Sequence, residues 1–114
     1  MTDAALIAFS IVHMIACILV GECGGTVPEA GPAIAAVAMN RLEMGWGWRG
    51  WNAIADEPEP WAMDAAWEAY WQGGDASGDL FALSDADCKA LGVTWGTRHG
   101  NERWGVTVTR RWPE

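Results

Sequence analysis

Basic side chains are scarce in this chain, with Lys and Arg totalling 7 against 15 Asp and Glu for a formal net charge of −8. A nucleic-acid binder neutralises phosphates with a basic stripe, so DNA and RNA are not expected partners. The acids gather between Asp56 and Asp87, and most of the positive charge lies near the C-terminal end at Arg98, Arg103, Arg110 and Arg111. Such segregation reads as solvated faces of opposite sign. Cysteine is also sparse: Cys17, Cys23 and Cys88 form no C-x-x-C pair, which points away from a disulfide framework and from a zinc site. No metal and no cofactor are expected. Cys17 reads as a small core residue and Cys23 as a more exposed thiol. A Cys23 nucleophile with His13 or His99 as base is the alternative, although no Cys–His spacing singles it out. Internal repeats and low-complexity segments are absent. At 114 residues the chain has the length of one domain, 1–114, and a monomer is expected.

The chain does have apolar residues, 51% of the total, and nine Trp. Residues 4–21 contain no formally charged side chain, a run long enough to cross a membrane. No Lys or Arg precedes it, Asp3 and Glu22 flank it, and His13 sits in its middle. A cleavable signal peptide wants a basic leader and a small-residue cleavage site, so the run is read as a central helix buried on all sides by other helices. A membrane-anchored or membrane-released form is the alternative reading. Gly24-Gly25 end the helix, because glycine costs about 1 kcal/mol in a helix interior. Glu22 thereby falls at the helix C-terminus. Apolar surroundings and the negative end of the helix dipole both raise a carboxylic acid's pKa, which suits Glu22 to donating a proton near neutral pH.

Thr26-Val27-Pro28-Glu29 has the form of a capping box for a second helix, with Pro32 in its first regular turn and Ile34, Val37 and Ala38 at helical spacing before Asn40-Arg41-Leu42. From Met44 to Pro60 a loop carries Trp46, Trp48 and Trp51 among glycines. Indoles on such a loop suit carbohydrate, whose ring faces stack on flat apolar surfaces, or else they close over the core. Pro60 opens a third helix ending at Gly73-Gly74, whose Met63, Trp67 and Trp71 form an apolar stripe expected in the core. Leu80–Leu83 reads as a short strand or extended loop. Ser84 caps a brief helix with Asp87 three residues on and Gly92 at its end. Trp104, Val106 and Val108 alternate with polar residues as a terminal strand.

The run from Ile15 to Leu42, IACILVGECGGTVPEAGPAIAAVAMNRL, resembles the SleB/CwlJ-type cell-wall hydrolase domain: a helix ending in Gly-Glu, a Gly/Pro turn, and a helix closing on Asn-Arg and an aliphatic residue. The likeness covers about a quarter of the chain, and Ala65–Trp71, Gly73–Gly78 and Leu80–Ser84 match the family's later elements in order. It implies a small lysozyme-like, mainly α (α+β) domain with a buried central helix and one or two short strands. The implied activity is cleavage of peptidoglycan glycan strands, with Glu22 at the family's catalytic glutamate and Asn40 at its Asn-Arg ending. Asn40, Trp46, Trp48, Trp51 and Ser84 make up the expected substrate-contacting set. Cys23 stands where the family usually has Ala, and Trp61-Ala62 replaces a common Gln-Phe. These departures bear on substrate contacts more than on the acid.

Cleaving the bond between N-acetylmuramic acid and N-acetylglucosamine needs an acid to protonate the leaving oxygen. An inverting hydrolase adds a second carboxylate, for which Asp56, Glu57, Glu59, Asp64, Asp75 and Asp79 are all eligible. A lytic transglycosylase works with one glutamate as acid and then base. With one acid singled out, the transglycosylase is the favoured expectation, acting at the bacterial cell wall. The lack of a clear signal peptide leans toward a phage or prophage lysin released by other means. A muramidase-type hydrolase, a non-catalytic sugar-binding module and a membrane-anchored protein are the rival readings.

Overall fold

The computed structural model describes residues 2–24, 26–74 and 77–113. Four α-helices and a three-stranded sheet follow in the order α1 (Asp3–Cys23), a 3-10 turn (Pro28–Ala30), α2 (Gly31–Glu43), α3 (Pro60–Gln72), β1 (Phe81–Ser84), α4 (Asp85–Leu91), β2 (Thr97–Gly100) and β3 (Gly105–Thr109). The mainly α, α+β architecture is as expected, with three strands in place of one or two.

Local chemistry explains most boundaries. The Thr2 hydroxyl accepts from the Ala5 N–H and starts α1, and Gly24 at φ 52° ends it. The expected capping box does not form. The Glu29 carboxylate accepts instead from Asn101 Nδ2 at 3.0 Å, and Pro28 opens a 3-10 turn that leaves Pro32 in the first turn of α2. Pro60 starts α3 and left-handed Gly73 stops it. Ser84 Oγ accepts from the Asp87 N–H at 3.1 Å, and Gly92 closes α4, both as expected.

The C-terminal half of α1 is the centre of the core: Val12, Ile15, Ile18 and Leu19 are fully enclosed, packed with Ile34, Ala35 and Ala38 of α2 and Ala62, Ala66 and Ala69 of α3. Its N-terminal half is not. Leu6, Ile7 and Phe9 are 55%, 59% and 43% exposed, which corrects the expectation of a helix buried all round. Helix α1 has 21 residues and α2 and α3 have 13 each, so at 1.5 Å per residue α1 outruns its neighbours by about 12 Å. Among the described residues it is also the one helix long and apolar enough to cross a membrane, with a mean hydropathy of 2.4.

Helix α3 departs from expectation in its buried face. The stripe Met63, Trp67, Trp71 is only half-buried at its first two positions, and Trp71 is 76% exposed. Ala62, Ala66 and Ala69 face the core instead, with Met63 and Trp67 packed at its margin.

The sheet has the order β1-β3-β2, both pairs antiparallel, with Phe81 opposite Thr109 and His99 opposite Val106. Strand β3 is buried at every position, Thr107 and Thr109 included, because it is central in the sheet; Trp104 lies just outside it. Arg98 of β2 clamps Asp85 of α4 through two hydrogen bonds of 2.9 and 2.8 Å and holds that carboxyl below the usual aspartate range.

Candidate active site

Glu22 lies in the last turn of α1, half-buried, with its Oε1 accepting from the Ala53 N–H at 3.3 Å. That contact depends on the neighbouring glycine. A Cβ on Gly21 would stand 2.2 Å from the Ala53 carbonyl oxygen, so only glycine lets the loop backbone approach close enough to hold the carboxylate.

The carboxylate opens into a cavity of about 260 Å³ lined by Glu22, Thr26, Val27, Ser84, Trp104 and Val106, among others. Three distant parts of the chain meet here: the α1–α2 turn, the end of β1 and the start of β3. Asn101 joins two of them. Its Oδ1 accepts from the Arg103 and Trp104 N–H groups at 2.9 Å, and its Nδ2 donates to Glu29 Oε1 and to the Thr26 carbonyl at 3.4 Å. The β2–β3 turn is thereby pinned beside the end of α1, with Trp104 left 56% exposed at the cavity. Neither Asn101 nor Trp104 stood out as a site residue in the sequence. The W-G step before an alternating strand was the one signal for Trp104, and Asn101 in a polar turn had none.

The other expected site residues divide. Ser84 lines the Glu22 cavity as well as capping α4. Asn40 does not join it: 6% exposed, it donates from Nδ2 to the Asp79 carbonyl at 2.9 Å and lines a separate cavity with Glu43, Met44 and Arg110. Its observed work is to fasten the chain after α3 to α2. Trp46, Trp48 and Trp51 are half-buried, and Trp48 and Trp51 pack against the core, so the loop closes inward more than it displays a stacking platform. None of the three lines the Glu22 cavity.

Two chemical alternatives also change. Cys23 is 1% exposed, correcting its expected exposure, and burial first, then the charges of Glu22 and Glu29, pushes its thiol from 9.0 up to about 12. His13 Nδ1 lies 3.8 Å from the sulfur of Cys17, not of Cys23, and among the described residues neither His13 nor His99 lines the cavity beside Cys23, so the Cys–His nucleophile finds no support. Of the eligible second acids, Asp56, Glu57, Glu59, Asp64 and Asp79 are absent from the cavity wall, and Asp75 lies outside the described residues. Among the described residues, Glu22 is the one carboxylate lining it.

A carboxyl group fixed by a backbone amide, two hydroxyl-bearing side chains and an exposed indole face together suit general acid–base work on a hydroxyl-rich ring. No protein-family model matches this chain, and no curated protein or solved structure matches it either.

Proposed function

We propose that this chain cleaves the bond between N-acetylmuramic acid and N-acetylglucosamine in peptidoglycan, at the bacterial cell wall, as a lytic transglycosylase with Glu22 as the catalytic residue. The carrying observation is that Glu22 is the one carboxylate among the described residues lining its cavity. The resemblance of residues 15–42 to the SleB/CwlJ-type domain supports the same residue in the same role.

Protonated Glu22 gives its proton to the glycosidic oxygen as the bond from that oxygen to the muramic acid C1 breaks, and N-acetylglucosamine leaves with a free hydroxyl. Positive charge develops at C1. The muramic acid's own C6 hydroxyl oxygen then bonds to C1 and returns its proton to Glu22, closing a 1,6-anhydro ring and resetting the acid. No water is consumed. An inverting hydrolase instead needs a second carboxylate roughly 6.5–9.5 Å away to activate water, and the cavity wall offers none among its described residues. Trp104 supplies a stacking face for one sugar, and the Thr26 and Ser84 hydroxyls supply donors for its substituents.

The test is digestion of purified peptidoglycan with mass spectrometry of the products. Anhydro-muropeptides are expected, and Glu22→Gln should lower their release by at least roughly 10²–10⁴-fold while the protein remains folded. Reducing ends would indicate a muramidase-type hydrolase. Undiminished release by Glu22→Gln would remove Glu22 from the chemistry. Glycan binding without release would leave a sugar-binding module.

A further inference from the structure

Arg41 occupies an unusual position for a cation. It is 8% exposed, and its guanidinium lies 4.6 Å from the ring centroid of Trp51 and 5.8 Å from those of Trp46 and Phe81. Nε donates to the Leu80 carbonyl at 2.7 Å and Nη1 to the Arg49 carbonyl at 3.1 Å. A guanidinium has five N–H donors, so these two bonds leave the fork unfilled. No carboxylate completes it: among the described residues the ion pair is Arg98 with Asp85. A buried charge is ordinarily paired, because an unpaired one forfeits hydration without recompense.

The site around that cation is open and carries a second one. Arg41, Trp46, Arg49 and Gly50 line a cavity of about 370 Å³, and Arg49 stands exposed at it. Gly50, at φ +88°, runs past the guanidinium, where a Cβ would sit 3.1 Å from Nη1 and crowd it. Arg41 and Arg49 thus both line one cavity in a chain whose net charge is −8, with no acid among its described lining residues.

The geometry points to an anion-binding site at Arg41 and Arg49 that takes a carboxylate, and, resting on the proposed glycan-strand activity, to the free carboxylates of the peptidoglycan stem peptide as its ligand. The arginine fork matches a planar carboxylate with two parallel hydrogen bonds, and Trp46 offers an apolar wall for the peptide beside it. Location supports the assignment. Trp51, under the guanidinium, is two residues from Ala53, whose N–H holds Glu22, and two extended residues span at most about 7 Å. Glu22 also acts electrostatically on Arg41, raising its pKa against the larger lowering effect of burial. The stem peptide branches from the muramic acid adjoining the bond to be cut, so a carboxylate receptor on the same loop as the acid's backbone partner would register the strand over Glu22.

The test titrates the full chain by calorimetry with N-acetylmuramyl-L-alanyl-D-glutamate, which carries free carboxylates, and with its diamide, with inorganic phosphate as competitor. The acid is expected to bind at least about tenfold more tightly than the diamide, and Arg49→Gln, at an exposed position, should cut that preference several-fold without lowering the melting temperature. Equal binding of acid and diamide, or a preference undiminished in Arg49→Gln, would overturn the site. Displacement of the acid by phosphate at equal concentration would overturn its assignment to carboxylates. Digestion of glycan strands stripped of peptide separates the two proposals. Cleavage of stripped strands with no acid preference in binding overturns the carboxylate site alone, and an acid preference with no cleavage of stripped or intact strands supports the site and overturns the glycan-strand activity.

Discussion

Along α1, Ile15, Ala16, Ile18 and Leu19 are sealed between α2 and α3, whereas Leu6, Ile7 and Phe9 stand exposed about two to four turns earlier on the same helix. Both segments are apolar and free of charge. What separates them is the reach of their neighbours: α2 and α3 have 13 residues each and cover only the C-terminal part of a 21-residue helix. Apolar composition made the helix, but the length of the partners chose which half became core. The covered half is also the half that ends in Glu22, so the acid is carried by the most constrained part of the molecule.

The largest effect expected from breaking this contrast is at its buried end. Leu19→Ala removes a fully enclosed side chain and should cost about 2–5 kcal/mol in urea unfolding, whereas Leu6→Ala should change stability by less than about 0.5 kcal/mol. Equal losses at the two positions would show that the exposed half is covered in solution.

Gly21→Ala comes next. Its added Cβ would collide with the Ala53 carbonyl at 2.2 Å, so the loop must move, with an expected cost of about 1–3 kcal/mol. Release of muropeptides should fall with it, because the Ala53 N–H no longer holds Glu22. Wild-type turnover in Gly21→Ala would sink the positioning role of that amide.

The smallest effect concerns the last buried residue of the helix. The Cys23 thiol is raised from 9.0 to about 12 by burial and by Glu22 and Glu29, so above pH 9 the unfolded chain releases this proton while the folded chain keeps it. The folded state then binds more protons, and stability should decline as pH rises from about 9 toward 12. Urea midpoints at pH 8 and pH 10.5 measure the decline, and Cys23→Ala should lessen it. An identical decline in that variant would mean the thiol ionises as freely folded as unfolded.

Much of the secondary structure was legible because its signals are local. Gly24, Pro60, Gly73, Ser84 and Gly92 mark boundaries through their own backbone preferences, and each does so in the structure. Strand β2 was not legible, since Thr-Arg-His-Gly has no apolar alternation and becomes a strand only through its bonds to β3. Trp71 misled for a related reason. Its fourfold spacing marks one face of α3, and the face that turns inward onto α1 and α2 is the one carrying Ala62, Ala66 and Ala69.

The same division runs through the site. The sequence by itself determined that Glu22 would stand at the end of an apolar helix followed by a turn, because helix formation and termination depend on residues within a few positions of one another. Only the tertiary structure decided that Ala53, Ser84 and Trp104 surround that acid, that Asn40 fastens Asp79 instead, and that Arg41 lies buried among Trp46, Trp51 and Phe81. Most of these partners are tens of residues apart in the chain, and their meeting is set by how helices of unequal length and a three-stranded sheet pack together, which no local spacing records.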